Sequence, residues 1–337
     1  MGLKINYDQI ISKKRSLELV NQGWKKADLH VHTWYSDDVL PFKKLDPNYL
    51  YKKALRKNLD FITFTDHDTM AAYDSIGWKK NKLVTGVEIE ITDKKRVGHT
   101  IHTNVYGLSK EQFRDLREIS LDERNIFSLL KYLKKNKLHY VYNHPYWCYN
   151  HEELNVDSVL KLVEHFPVLE YNMGIIKPLN KFSLFLAQKY NKGVIASTDS
   201  HIGRIGRVYT LAEGDNFDEY FRNIAMGKSY IVARSLTKFS FVNEINARMN
   251  HIFSKLKINT KPEINRFTFG ESDKKADWLV KTILNDSVRN NIFMKNVFKG
   301  LLKTFIKTGL PAKLHFNKRH LDAKNIFKKM KNKFNYQ

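Results

Sequence analysis

The sequence predicts an α/β fold in which short strands alternate with amphipathic helices, and three observations support it. Seven apolar runs rich in β-branched or aromatic residues recur between residues 27 and 196. Most of these runs are followed by a stretch with apolar residues at helical spacing. Each run ends in, or carries, side chains that can bind a metal. Such alternation favours a parallel sheet, and seven strands are compatible with a closed or distorted barrel.

The elements of this fold follow in order along the chain. Strands are predicted at 27–31, 61–64, 83–89, 101–106, 139–142, 168–171 and 194–196. Helices are predicted at 122–136, 152–165, 178–190 and 216–226. A further helix is expected to begin at Asp46-Pro47, with Asp46 as the N-cap and Pro47 at the first helical position.

Length and composition divide the chain into three expected parts. The 337 residues allow one large core and an appendage. We expect an N-terminal segment (1–24), a catalytic barrel (25–236) and a basic, mainly helical C-terminal extension (237–337). The single cysteine, Cys148, excludes an internal disulfide. The N-terminal residues lack the apolar core of a signal peptide, and no apolar run approaches a membrane span, so a cytoplasmic location is expected.

The net charge of +23 is concentrated near the C-terminus, where residues 251–337 carry 20 basic and 6 acidic side chains. This excess suggests an anionic partner, either nucleic acid or a membrane surface. A generally lysine-rich composition explains the overall charge equally well. Residues 291–310 form a basic amphipathic pattern whose apolar face is expected to pack on the barrel, with membrane or partner binding as the alternative. The apolar face of residues 291–310 comprises Phe293, Val297, Leu301 and Phe305. The lysine-rich stretch 324–333 is expected to fray.

Side chains that can bind metals mark the strand ends. Alternate residues of a strand point to the same side, so His30 and His32 can chelate one ion, and Asp199 and His201 can reach one cavity. The C-terminal ends of parallel barrel strands converge on one face, where active sites form. Taken singly, such a motif is more often a surface pair, but seven strand ends in register predict one shared site. The candidate ligands are His30, His32, Asp37, His67, Glu88, His102, His144, Asp199 and His201.

Imidazole and carboxylate ligands together suit zinc, manganese or iron, and so many ionisable groups in one cavity need cations to balance them. We therefore expect two or three divalent ions, roughly 3.5–4 Å apart. A hydroxide bridging two ions would be the nucleophile, since a bound ion lowers the pKa of water to about 7. The sequence thus predicts a metal-dependent hydrolase.

Over roughly residues 25–207, the sequence resembles the polymerase-and-histidinol-phosphatase (PHP) superfamily. The matching motifs are DLHVHTWYSDD, ITFTDHDT, GVEIE, IHTNVYGL, NHP and STDSH, in this order. The resemblance implies a distorted, seven-stranded, TIM-like (β/α) barrel with a trinuclear metal site. It also implies the phosphoesterase branch, whose members hydrolyse phosphomonoesters or phosphodiesters, including nucleotides and short RNA.

The resemblance also implies a role for each motif residue. The first ion would be bound by His30, His32, Glu88 and Asp199, and these four residues with His201 form the expected catalytic set. The second ion would be bound by Asp37, His67 and His201, and Glu88 would bridge to a third ion completed by His102 and His144.

Two of these assignments have a neighbouring competitor. Asp37 is preferred to Asp38 because the family's aspartate directly follows the serine. His102 is preferred to His99 because an aromatic residue and a glycine follow the family's histidine. Glu90, Asp66 and Asp68 would orient histidine ligands.

The expected substrate is a phosphorylated small molecule, a nucleotide or an oligonucleotide. Arg204 and Arg207 follow the last ligand pair and would clamp its phosphate, unless they pair with surface carboxylates. Two other functions stay open. One is hydrolysis of a non-phosphate ester or carbamate on the same scaffold. The other is a nucleic-acid- or membrane-associated role carried by the basic extension.

Overall fold

The computed structural model describes residues 5–39, 41–149, 151–255 and 291–334. The strands are β1 (Lys25–Asp28), β2 (Phe61–Ile62), β3 (Gly86–Thr92), β4 (Thr100–Tyr106), β5 (His139–Tyr142), β6 (Val168–Asn172), β7 (Gly193–Ser197), β8 (Tyr209–Ala212) and β9 (Ser229–Val232). The helices are α1 (Lys13–Asn21), α2 (Pro47–Arg56), α3 (Ala71–Ile76), α4 (Lys110–Glu118), α5 (Ile126–Lys135), α6 (Val156–Val163), α7 (Lys177–Lys189), α8 (Phe217–Ala225), α9 (Lys238–Lys255), α10 (Ile292–Lys307) and α11 (Leu310–Lys333).

The strands form two sheets. One has the order β2-β1-β8-β9 and the other the order β3-β4-β5-β6-β7. Isolated parallel bridges link the two sheets at Val31–Ser200 and His67–Glu88. All seven predicted strands are present, but a closed seven-stranded barrel is not confirmed, because single bridges replace continuous ladders between the sheets.

The predicted all-parallel sheet is wrong at β4, which pairs antiparallel with both β3 and β5. The connection from β3 to β4 is too short for the helical crossover that a parallel pair requires. Gly98 turns this connection with a φ of 92°. The reversal has a functional consequence. It pairs His102, near the start of β4, with Glu90, near the end of β3. His102 therefore reaches the same edge as the residues that end the other strands.

Local capping explains where the helices begin. The carboxylate of Asp46 accepts a hydrogen bond from the backbone N–H of Tyr49, which confirms the predicted start of α2. Asn155 and Asn216 cap α6 and α8 in the same way. The helix predicted at 122–136 begins later, because a π-helical turn (Ile119–Glu123) comes first and Asn125 caps α5.

The C-terminal helix α11 packs firmly on α6 and α7. Its buried face includes Phe316, Ile326 and Met330, which join the main core. Tyr146 Oη lies 3.4 Å from the Met330 sulfur, and Lys333 pairs with Asp157 at 2.7 Å. The predicted fraying of 324–333 is therefore wrong, because this stretch buries an apolar side chain on nearly every turn.

Helix α10 differs from α11. Phe293 and Leu301, on its predicted packing face, are 73% and 65% exposed, and Val297 is 38% exposed. Phe298 makes the contact with the core instead. The predicted packing of that face on the barrel is therefore wrong for these three residues, and the side chain of Phe305 lies outside the described part. None of the described helices is long and apolar enough to cross a membrane.

Candidate metal centre

The carboxylate of Glu88 is the centre of the predicted site. Glu88 is completely buried on β3, and five predicted histidines lie within 3.5 Å of its two oxygens. The distances from Oε2 are 2.9 Å to His30, 3.3 Å to His32 and 3.5 Å to His67. The distances from Oε1 are 3.2 Å to His102 and 3.4 Å to His144. Each oxygen therefore faces its own set of histidines, which is the geometry of a bridging carboxylate.

The side chains form three overlapping groups of possible metal ligands, and the first group lies just beyond the end of β1. The Nε2 atoms of His30 and His32 lie 3.1 Å apart, because both side chains point inward from alternate positions. Asp199 Oδ1 lies 3.1 Å from His32 Nε2 and 3.4 Å from His30 Nε2. Together with Glu88, the four side chains predicted for the first ion converge on one point.

The second group of possible ligands contains Asp38 and not the predicted Asp37. His32, Asp38, His67 and His201 offer ligand atoms that all lie within 4.8 Å of one another. Asp38 Oδ2 lies 2.6 Å from His201 Nε2, whereas Asp37 is exposed and belongs to none of the clusters among the described residues. Asp37 still lines the cavity in front of the site. The turn after Ser36 aims the second aspartate inward, so the structure favours Asp38.

The third group forms around the other oxygen of Glu88. His67, Glu88 and His102 offer ligand atoms within 4.8 Å of one another. His144 lines the same cavity beside them, and its left-handed backbone, with a φ of 27°, is a conformation that non-glycine residues adopt rarely. Glu170 accepts a hydrogen bond from the backbone N–H of His144 at 2.8 Å, which helps to hold that conformation.

The competing histidine of this region lies elsewhere. His99 is fully buried, and its Nδ1 accepts a hydrogen bond from the backbone N–H of Asn155. Burial lowers the pKa of His99 to about 4, against the opposing charge of Glu152. His99 is therefore a neutral core residue, and the structure favours the predicted His102.

Other side chains hold the clustered histidines in orientation. Glu170 Oε1 lies 2.7 Å from His30 Nδ1, and Ser36 Oγ lies 3.1 Å from His32 Nδ1, so both rings turn Nε2 towards the site. His201 Nδ1 donates to the carbonyl of Asp199 at 2.9 Å. Glu170 lies in the sixth predicted strand (168–171), but its histidine partner could be found only from the fold.

The three acids predicted to orient histidines behave differently from one another. Glu90 does lie beside a candidate ligand, at 3.3 Å from His102 Nε2. Asp66 instead accepts hydrogen bonds from Thr33, and Asp68 pairs with Arg117. The prediction is therefore wrong for Asp66 and Asp68, whose carboxylates hold a loop and a helix.

Mutual attraction dominates the electrostatics of the cluster. Burial alone would raise the pKa of Glu88, but His30 and His67 hold it well below its ordinary value. Burial would likewise raise the pKa of Asp38, and His201 and His67 lower it well below the usual range. Burial opposes the charged form of His32, yet hydrogen bonds to Asp199 and Glu88 raise its pKa to about 10. These carboxylates are therefore ionised at neutral pH.

The donor set fits divalent metal ions. The clusters combine imidazole nitrogens with carboxylate oxygens, as zinc, manganese and iron sites do. His67 turns Nε2 towards the carboxylates, at 3.5 Å from Glu88 and 3.9 Å from Asp38, so this nitrogen is the one available to an ion. The overlapping groups, which share His32, His67 and Glu88, provide positions for more than one ion.

Residues 28–235 match the model of the PHP domain. The chain belongs to the PHP domain family. No curated protein matches it significantly. Solved structures are also similar to this chain, at low sequence identity. PsfC from Pseudomonas syringae has 15% identity and a TM-score of 0.45, over 70% of this chain and 99% of that one. A two-domain Bacteroides vulgatus protein, described as containing a predicted PHP-like metal-dependent phosphoesterase, has 17% identity and a TM-score of 0.44, over 69% and 70%.

The PHP domain opens to the surface through a cavity of about 210 Å³ in front of the clusters. The clustered residues form one wall, called here the ligand wall. Trp147 and Tyr149 also line the cavity, where both rings pack against His102, and Tyr149 donates a short hydrogen bond to Glu90. His315 and Arg319 of α11 also line this cavity. Helix α11 lies outside the matched residues, so part of the cavity is built by the extension.

The predicted phosphate clamp is not at the cavity. Arg204 and Arg207 are absent from its lining, and Arg207 is exposed to solvent. The backbone N–H of Arg204 donates to Ser200 Oγ at 2.7 Å. His315 and Arg319 were missed by sequence reasoning, because the helical pattern of α11 does not indicate which element it covers.

Proposed function

We propose that this PHP domain is a metal-dependent phosphoesterase that hydrolyses a phosphomonoester or phosphodiester. The observation that carries the proposal is the overlap of three histidine–carboxylate clusters around Glu88, at the base of an open cavity. A single structural zinc site is normally closed by four ligands, whereas a catalytic site keeps a position open to solvent. The clusters here face a cavity, which supports catalysis.

We assign the ligands as follows. His30, His32, Glu88 and Asp199 bind the first ion. The second is bound by Asp38, His67 and His201, and Asp38 replaces the Asp37 of the sequence prediction. Glu88, His102 and His144 bind a third. Zinc, manganese and iron all suit this donor set.

When bound, such ions supply an activated water and the positive charge that stabilises oxyanions on phosphorus. The chain's own residues position these reactants. Glu170 and Ser36 fix the ring orientations of His30 and His32 by bonding the nitrogen that faces away from the site. Trp147 and Tyr149 line the cavity beside His102, and we expect their rings to limit the access of bulk water.

The cavity volume bears on the substrate class. At about 210 Å³ it lies below the roughly 300–1,000 Å³ of drug-sized pockets. It therefore suits the phosphate end of a substrate, either a phosphorylated small molecule or the terminus of a nucleotide or oligonucleotide.

The test is phosphate release by the full chain, loaded in parallel with zinc, manganese or iron, from a panel of phosphomonoesters and phosphodiesters. Carboxylic esters and carbamates serve as the comparison panel. We expect turnover of at least one phosphoester that is lost with a chelator and restored by metal. Activity confined to the carboxylic esters or carbamates would contradict the proposal and favour the non-phosphate hydrolase.

A further inference from the structure

The extension contributes a cationic side chain to the active-site cavity. Helix α11 is held in place on both sides of this position. Towards its start, the ring of His315 stacks on Phe241 of α9 with centroids 4.4 Å apart. Towards its end, Met330 is fully buried against Tyr146. Arg319 lies between these anchors, so its position is set by packing on either side.

The guanidinium of Arg319 is largely enclosed but weakly neutralised. Its side chain is 13% exposed, which is unusually low for a charged group. Within the described residues its ion-pair partner is Asp322, one turn along the same helix, at 3.4 Å through a single Nη1 contact. A guanidinium carries five N–H donors in a fixed fork. Most of its bonding capacity is therefore left for a ligand in the cavity.

We propose that Arg319 binds the anionic phosphoryl group of the substrate and is the phosphate clamp of this enzyme. This proposal rests on the phosphoesterase function proposed above. Arg319 lines the same cavity as the clustered residues of the ligand wall, so one small anion can face both. The planar fork of arginine matches two phosphate oxygens, which a lysine cannot do.

The larger neighbouring cavity is consistent with this role. It has a volume of about 390 Å³ and shares Arg319 and Tyr149 with the metal cavity. Arg319 therefore borders both cavities. Basic and acidic side chains border the second cavity together: Lys318, Lys328 and Lys329 with Glu152, Glu153 and Asp322.

The experiment compares the metal-loaded full chain with Arg319→Ala and Arg319→Lys. Lys324→Ala is the matched control, because it removes a cation from an exposed position on the same helix that borders neither cavity. The readouts are the inhibition constant of inorganic phosphate, KM and kcat for the best phosphoester, and the metal content. Phosphate binding is also measured by calorimetry, which does not depend on turnover.

We expect Arg319→Ala to weaken phosphate binding roughly 10- to 100-fold, as the loss of hydrogen bonds to a charged group does. KM should rise in parallel, with the metal content unchanged. Arg319→Lys should restore part of the affinity, and Lys324→Ala should match the wild type. Asp322→Asn separates binding from helix stability, because it removes the ion pair but keeps the clamp, so phosphate affinity should be retained.

Two results would overturn the clamp. One is phosphate affinity of Arg319→Ala within twofold of the wild type, and the other is a metal-loaded wild type that binds no phosphate. The first leaves the phosphoesterase function intact if the wild type turns over phosphoesters. Conversely, a wild type that binds phosphate through Arg319 but cleaves no phosphoester would refute the proposed function alone.

Discussion

The two sides of the active-site cavity are built on different principles. On the ligand wall, histidines and carboxylates from the strand ends neutralise one another around Glu88, and their placement follows from strand period and register. Arg319 lines the same cavity but comes from α11, far along the chain, and has one ion-pair partner among the described residues. We propose that the ligand wall carries the chemistry of the PHP domain and that Arg319 binds the phosphoryl group of the substrate.

The largest effect is expected at the centre of the ligand wall. Glu88→Gln keeps the shape of the side chain but removes the charge shared by five histidines. The replacement of outer partners of metal ligands costs about 10- to 100-fold, so the loss at Glu88 should exceed 100-fold in kcat. Metal content should fall as well, as measured by elemental analysis. Near-normal kcat and metal content in a folded Glu88→Gln protein would show that the clusters are not the catalytic centre.

A comparison of variants at the adjacent residues Asp37 and Asp38 tests which of them is a metal ligand. Asp38→Asn should reduce activity and metal binding by more than the roughly 10-fold that an outer partner of a ligand costs at least, because its carboxylate faces His201 and His67 directly. Asp37→Asn removes the neighbouring charge from an exposed position and should change kcat by less than about twofold, which is within the ±0.5 kcal/mol typical of surface substitutions. The opposite ranking of the two variants would restore the assignment made from the sequence.

Measurements of unfolding free energy test whether α11 is part of the folded core. Met330→Ala removes a fully buried side chain from the contact with Tyr146 and should lower the free energy of unfolding by about 2–5 kcal/mol. Leu321→Ala, at a 58% exposed position of the same helix, is the control and should stay within about 0.5 kcal/mol. Denaturant unfolding measures both. Equal, small effects would mean that α11 is not part of the cooperative fold.

The smallest effect concerns pH and His99. Burial lowers the pKa of His99 from 6.5 to about 4, although the charge of Glu152 opposes the shift. Between these values the unfolded chain takes up a proton that the folded chain does not. The contribution of neutral His99 is thus complete above pH 6.5 and is lost as the pH falls towards 4, by at most about 3 kcal/mol.

His99→Gln cannot take up this proton, so the difference in unfolding free energy between wild type and variant should shrink over the same pH range. Metal content and phosphoester turnover at pH 8 should be retained by His99→Gln and lost by His102→Gln. Loss of metal from the His99 variant alone would reverse the assignment of the two histidines.

The sequence predicted the ligand wall well because strand period is a local property. His30 and His32 follow β1 on an extended segment bridged at Val31, where alternate residues point to one side. The rule does not extend to Asp199 and His201, which lie beyond β7, because Asp199 has a left-handed backbone with a φ of 46°. The choice between Asp37 and Asp38 failed because both lie in an irregular turn, where no period applies. The reversed direction of β4 also escaped the sequence, although it is what brings His102 to the common edge.

The helical side was not predictable in the same way. The apolar pattern of α11 indicates a buried face, but it does not say that the face covers α6 and α7. Arg319 therefore gave no signal that separates it from the other basic residues of the extension. Arg204 and Arg207 were favoured because they are close to His201 in sequence, and that proximity does not carry over to the cavity.

The most direct test of the proposed metal centre is the metal content of the purified full chain, measured with phosphoester turnover on the same preparation before and after chelation. We predict two or three divalent ions per chain, with turnover that disappears on chelation and returns when metal is restored. Turnover that persists in a chain stripped of metal, or a chain that binds none of zinc, manganese and iron, would contradict it.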